Sequence, residues 1–90
     1  MIRRHIATIY TRQGRALVPS ATRRFRSRAS ALRWVERVLT RHGCTATRAN
    51  YWRAFQHMPS GEVRDARSGH WETIDPPVRL VPSVGELGYG

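Results

Sequence analysis

The chain has 90 residues, 16 basic and 6 acidic, for a formal net charge of +10. That length makes one small domain with a modest core and excludes two. No stretch approaches the roughly 18 apolar residues of a membrane span, and one cysteine, Cys44, excludes a disulfide scaffold.

The charge is lopsided. Residues 1–45 hold eleven arginines against Glu36 alone, whereas residues 46–90 hold five arginines against Glu62, Asp65, Glu72, Asp75 and Glu86. Every basic residue is arginine. Arginine codons are rich in G and C, so this choice points to a GC-rich genome, a bacterium or one of its phages. Codon drift does not remove acids, so net charge is the stronger signal. An organellar transit peptide is also Arg-rich and acid-poor, but here the basic region reaches Arg41 and holds a structural helix. Ile6 to Tyr10 is too short for a secretory core, and the expected compartment is the cytoplasm.

Ile2 to Tyr10 reads as a strand, with Ile6, Ile9 and Tyr10 favouring extended structure. Gln13-Gly14 marks a turn, and Arg15 to Val18 returns as a second strand that Pro19 ends, for want of an N–H. The strongest element is a helix over 28–42. Ser27 is its expected N-cap and Gly43 its expected left-handed C-terminal residue. Ala31, Leu32, Val35, Val38 and Leu39 fall within an arc of about 120°, and Arg33, Arg37 and Arg41 occupy the opposite face. Arg48 to Met58 reads as an aromatic strand with Tyr51, Arg53, Phe55 and His57 on one face. Pro59 to Gly61 is expected as a turn, Glu62 to Arg67 as a short strand, Ser68-Gly69 as a turn and His70 to Ile74 as a last strand. Residues 76–90, rich in proline and glycine, read as an extended tail beyond a domain of residues 1–75. The expected fold is therefore α+β, with one main helix on an antiparallel sheet of four or five strands.

The arginine stripe carries the most specific chemistry. Arg33, Arg37 and Arg41 are four apart, about 6 Å of rise between neighbours. That spacing resembles adjacent phosphates on one strand, contacted without base reading. Arg23, Arg24, Arg26 and Arg28 lead into the helix and extend the footprint. Any single arginine is explained by a solvated helix face; the cluster, with one acid nearby, is better explained by anion binding. Tyr51, Arg53 and Phe55 resemble a surface on which unpaired bases stack, although aromatics on a small sheet serve more often as core.

No cofactor or metal is expected. His5, His42, His57, His70 and Cys44 match no zinc spacing. There is no P-loop and no G-x-S-x-G, and a nuclease would need Glu62, Asp65, Glu72 and Asp75 to converge. An enzyme is the third-ranked reading.

Phe25-x-Ser27 leading into Ala31-x-x-Trp34 resembles the strand-to-helix joint of the AP2-like, arm-type DNA-binding domains of phage integrases, over residues 5–42. That resemblance implies DNA binding, although those domains place three strands before the helix and two are read here. The order helix, Gly43, then Arg48 to Gly61 resembles the double-stranded-RNA-binding-like mRNA interferase toxins. Their Gly-Ser-His motif is missing, with Ser68-Gly69-His70 out of order. The preferred expectation is a small non-enzymatic protein, phage-encoded, that holds the DNA or RNA phosphate backbone. The alternative is a protein-interaction module, such as a phage inhibitor whose basic face docks on an acidic host protein, since carboxylates also accept bidentate guanidinium contacts.

Overall fold

The computed structural model describes residues 2–82. The chain begins with a hairpin of β1 (His5–Gln13) and β2 (Ala16–Phe25), closed by Gly14 and Arg15. Gly14 has φ 62° and Arg15 has no positive φ, the pattern of a type II′ loop whose twist matches its strands. Pro19 does not end β2. It sits inside the strand opposite Tyr10, next to a register shift between Ile9 and Tyr10 that leaves Ser20 extra. β2 is an edge strand, so a missing N–H is tolerated there, and the bulge re-aims the chain. Ser20 Oγ donates to the Ile9 carbonyl at 3.2 Å.

Helix α1 (Arg28–Arg41) starts as expected. Ser27 is extended at φ −131° and ψ 152°, and its Oγ accepts from the Ser30 amide at 3.1 Å. At the other end Gly43 is not left-handed. A Cβ there would stand 3.1 Å from the Thr40 carbonyl and 3.4 Å from that of Pro77, so the glycine permits close passage of a later segment.

Antiparallel strands β4 (Ser60–Asp65) and β5 (Trp71–Ile74) complete a four-stranded sheet of order β2-β1-β4-β5. Gly61 belongs to β4 rather than to a turn, and it is buried. β3 (Cys44–Ala46) pairs in parallel with β6 (Val78–Leu80), so part of the expected tail is a strand; residues 83–90 of it lie outside the described residues.

Residues 48–58 are not a strand. They contain a second helix, α2 (Tyr51–His57), entered through Asn50, whose Oδ1 accepts from the Thr47 amide at 2.8 Å. Spacing of four is compatible with one face of either a strand or a helix, so Tyr51 and Phe55 do not discriminate. Trp52 and Phe55, three apart, meet at 5.7 Å only because the segment is helical.

The core lies between α1 and one sheet face. Ala7, Ile9 and Val63 meet Ala31, Val35 and Leu39, with Phe25, Leu32, Trp34, Val38 and Ile74 around them. No helix of the described residues is long and apolar enough to cross a membrane.

Candidate nucleic-acid interface

Antiparallel pairing decides which arginines meet. His5 lies opposite Phe25 and Asp65, so the chain before β1 runs beside the end of β2 and the turn after β4. Ala66 donates its amide to the Arg4 carbonyl at 2.8 Å, which ties these segments together. One open concavity of about 460 Å³ is lined by Ile2, Arg4, Arg24, Arg26, Ala66 and Arg67. A second, of about 260 Å³, is lined by Arg3, Arg23, Arg24, Phe25, Arg26 and Ser30. Arg24 and Arg26 belong to both. Six guanidiniums thus surround one end of the sheet.

The charge there is poorly offset. Asp65 lies 3.6 Å from Arg4 Nε. The Arg67 amide, donating at 2.9 Å, holds the Asp65 carboxyl below its ordinary range, and the Arg4 charge adds to this against some desolvation. The first turn of α1 carries no acid, so its positive dipole end adds to the same field.

Arg28 is taken. Its Nε and Nη2 donate to the two Glu72 carboxylate oxygens at 2.6 and 2.9 Å. This fork raises the Arg28 pKa and lowers that of Glu72. Among the described residues, Arg28 is therefore the one expected phosphate contact already partnered by a carboxylate.

Arg33, Arg37 and Arg41 are exposed on the outer side of α1 and have no ion pair among the described residues. Arg33 Nη2 donates to Ser30 Oγ at 3.4 Å, and Ser30 lines the second concavity. The helix stripe and the sheet-end cluster are therefore continuous through Ser30. Arg23 stands on the helix side, 5.3 Å from the Phe25 ring centroid, while Arg24 stands on the opposite sheet face.

The strand face expected to group Tyr51, Arg53 and Phe55 is replaced by helix α2. Tyr51 and Phe55 stack on each other at 6.2 Å, and Trp52, itself exposed, meets both edge-on. Arg53 is exposed and, two residues from Tyr51 on a helix, stands well round from it. This cluster also lies at the hairpin end, where Phe55 and Met58 line a hollow with Arg12 and Leu17.

The sequence reading does not include Arg3, Arg4 and Arg67, which the fold brings to this sheet end. For Arg3 and Arg4 the signal lies in the hairpin, because extending β2 through Pro19 sets them beside Arg24 and Arg26, whereas Arg67 arrives through the pairing of β4 with β1. The acids do not converge. Glu62 is on the face away from α1 and Glu72 on the face beneath it, and the described residues contain no group of three His, Cys, Asp or Glu able to hold a metal.

No family model, curated protein or solved structure matches the chain.

Proposed function

We propose that this protein binds nucleic acid, DNA or RNA, through its phosphates and performs no chemistry on it. The observation that carries this reading is the arginine track. It runs from Arg41 and Arg37 to Arg33, passes Ser30, and ends on Arg3, Arg4, Arg23, Arg24, Arg26 and Arg67. So many like charges repel one another in the free protein, and a polyanion relieves that repulsion. Binding of this kind releases counterions, so affinity falls steeply with salt.

The test is fluorescence anisotropy of labelled DNA and RNA oligonucleotides over a salt series. Replacing Arg33, Arg37 and Arg41 together by Gln weakens binding and flattens the dependence on salt. Equal binding by this variant and the wild type at every salt concentration would exclude the helix stripe as part of the site.

A second reading rests on a different place. Trp52 is 69% exposed and Leu80 52%, and both line a surface hollow with Arg48, Tyr51 and Val78. Exposed aromatic and apolar side chains beside arginine suit an acidic protein partner. A pull-down with and without nuclease separates the readings: partners kept after nuclease, with no oligonucleotide bound, favour the protein.

A further inference from the structure

The pairing registers place Arg24, Ile6, Arg64 and Trp71 in one row across β2, β1, β4 and β5, on the face turned away from α1. Ile6 is buried at the centre, while Arg24, Arg64 and Trp71 are exposed. Three strand spacings, about 14 Å, separate Arg24 from Trp71. Arg4 and Arg26 follow at the sheet end and share a concavity with Arg24. The next row inward, Thr22, Thr8, Glu62 and Thr73, holds no cation.

Trp71 differs from the other two tryptophans. Trp34 packs on Phe25 at 5.8 Å, and Trp52 packs against Tyr51 and Phe55. Trp71 is 59% exposed, with no aromatic or cation–π partner among the described residues. A large ring on an edge strand, with Arg64 opposite it and Arg24 further along the same row, offers a surface to a flat apolar group that carries negative charge. A nucleotide base with its phosphate has both properties.

We infer that Trp71 is a base-stacking position and that the ligand presents unpaired nucleotides to this sheet face. The inference rests on the nucleic-acid reading above and narrows it. In a duplex each base is already stacked on its neighbours, so its ring face is closed to a side chain; in a single strand it is open. Arg64, across the strand pair from Trp71, and Arg24 are placed to hold the flanking phosphates. Every base has a ring face, so such a contact tolerates any sequence.

The test measures binding of a 12-nucleotide oligo(dT), an oligo(U) of the same length, a blunt DNA duplex and inorganic polyphosphate. Wild type, W71A and W71F are compared, with circular dichroism as the check on folding. The expected results are tighter binding of single strands than duplex, quenching of tryptophan fluorescence by oligo(dT), and a loss of about tenfold for single strands in W71A. W71F recovers most of that loss, and polyphosphate binding is the same in all three proteins. Equal affinity of wild type and W71A for both single strands, or a duplex bound as tightly as they are, overturns the stacking position and leaves phosphate binding standing. Failure of the wild type to bind any oligonucleotide overturns both.

Discussion

Gly61 lies directly beneath Val35, in the middle of a sheet row formed with Ile9 and Ile74. A Cβ at residue 61 would collide with Val35 Cγ1 and would touch Leu39 Cδ1 at 3.7 Å. Absence of a side chain at this point lets α1 settle onto the sheet, and with it the arginine stripe on the outer side of the helix. Gly61→Ala is expected to destabilise the fold by about 1–3 kcal/mol through overpacking. In V35A the penalty of the same change shrinks, because the colliding methyl is gone. Urea denaturation of the four proteins, read as a double-mutant cycle, checks this. Additive effects would mean that the two residues do not meet.

Ser27 joins the sheet-end cluster to α1. Ser27→Ala removes the acceptor for the Ser30 amide and is expected to cost about 1 kcal/mol. Ser27→Asp restores the cap but sets a carboxylate between Arg26 and Arg28. Its melting temperature should stay near that of the wild type, while oligonucleotide affinity drops. A variant that loses both together would tie the residue to stability alone.

The ion pair of Arg28 with Glu72 gives an acid dependence with a defined sign. Glu72 and Asp65 both have carboxyls lowered in the folded state, by the Arg28 fork and the Arg67 amide respectively. Their stabilisation is therefore present above the ordinary carboxylate range and lost as pH falls through the lowered folded values. The melting temperature should hold from neutrality to about pH 5 and decline below about pH 4. E72Q should show a shallower decline. It also frees Arg28 beside the track, so binding should strengthen, with a salt slope steeper by roughly 0.7–0.9, the increment of one phosphate contact.

The two parts of the arginine track make separable contributions. Arg24→Gln with Arg26→Gln, at the end where two concavities meet, should reduce the salt slope by roughly 1.4–1.8 if each holds one phosphate. Both are exposed, so the thermal midpoint should remain near that of the wild type or rise as repulsion falls. The helix-stripe triple variant should reduce the slope further. An unchanged slope in the sheet-end variant would confine the contact to α1.

Short-range rules made α1 readable. Ser27, the apolar arc and the arginine face each report on a neighbourhood of three or four residues, the range over which a helix is organised. The expected strands at 62–67 and 70–74 overlap β4 and β5, but β4 begins at Ser60 and ends at Asp65, so Ala66 and Arg67 lie in the turn. Residues 51–57 were not readable in this way. Their aromatic content favours a strand, and ring-to-ring packing along the helix, backed by Asn50 before it, outweighs that preference. Pro19 misled because its effect depends on whether its strand is central or at an edge, which no local pattern states.

Composition and local periodicity were enough to place the charge in the first half, to bury Ala31, Val35 and Leu39 on one side of an amphipathic helix and to turn its arginines outward. Composition and periodicity are properties of the chain, so they survive any arrangement of its elements. Three-dimensional pairing decided that Arg67 joins Arg4, Arg24 and Arg26, that Arg28 is held by Glu72, and that the bulge at Ser20 turns Arg24 onto the sheet face of Arg64 and Trp71. Those neighbours are set by strand order and register between positions about 40 to 60 residues apart in sequence, and a shift of one residue would turn each side chain to the other face.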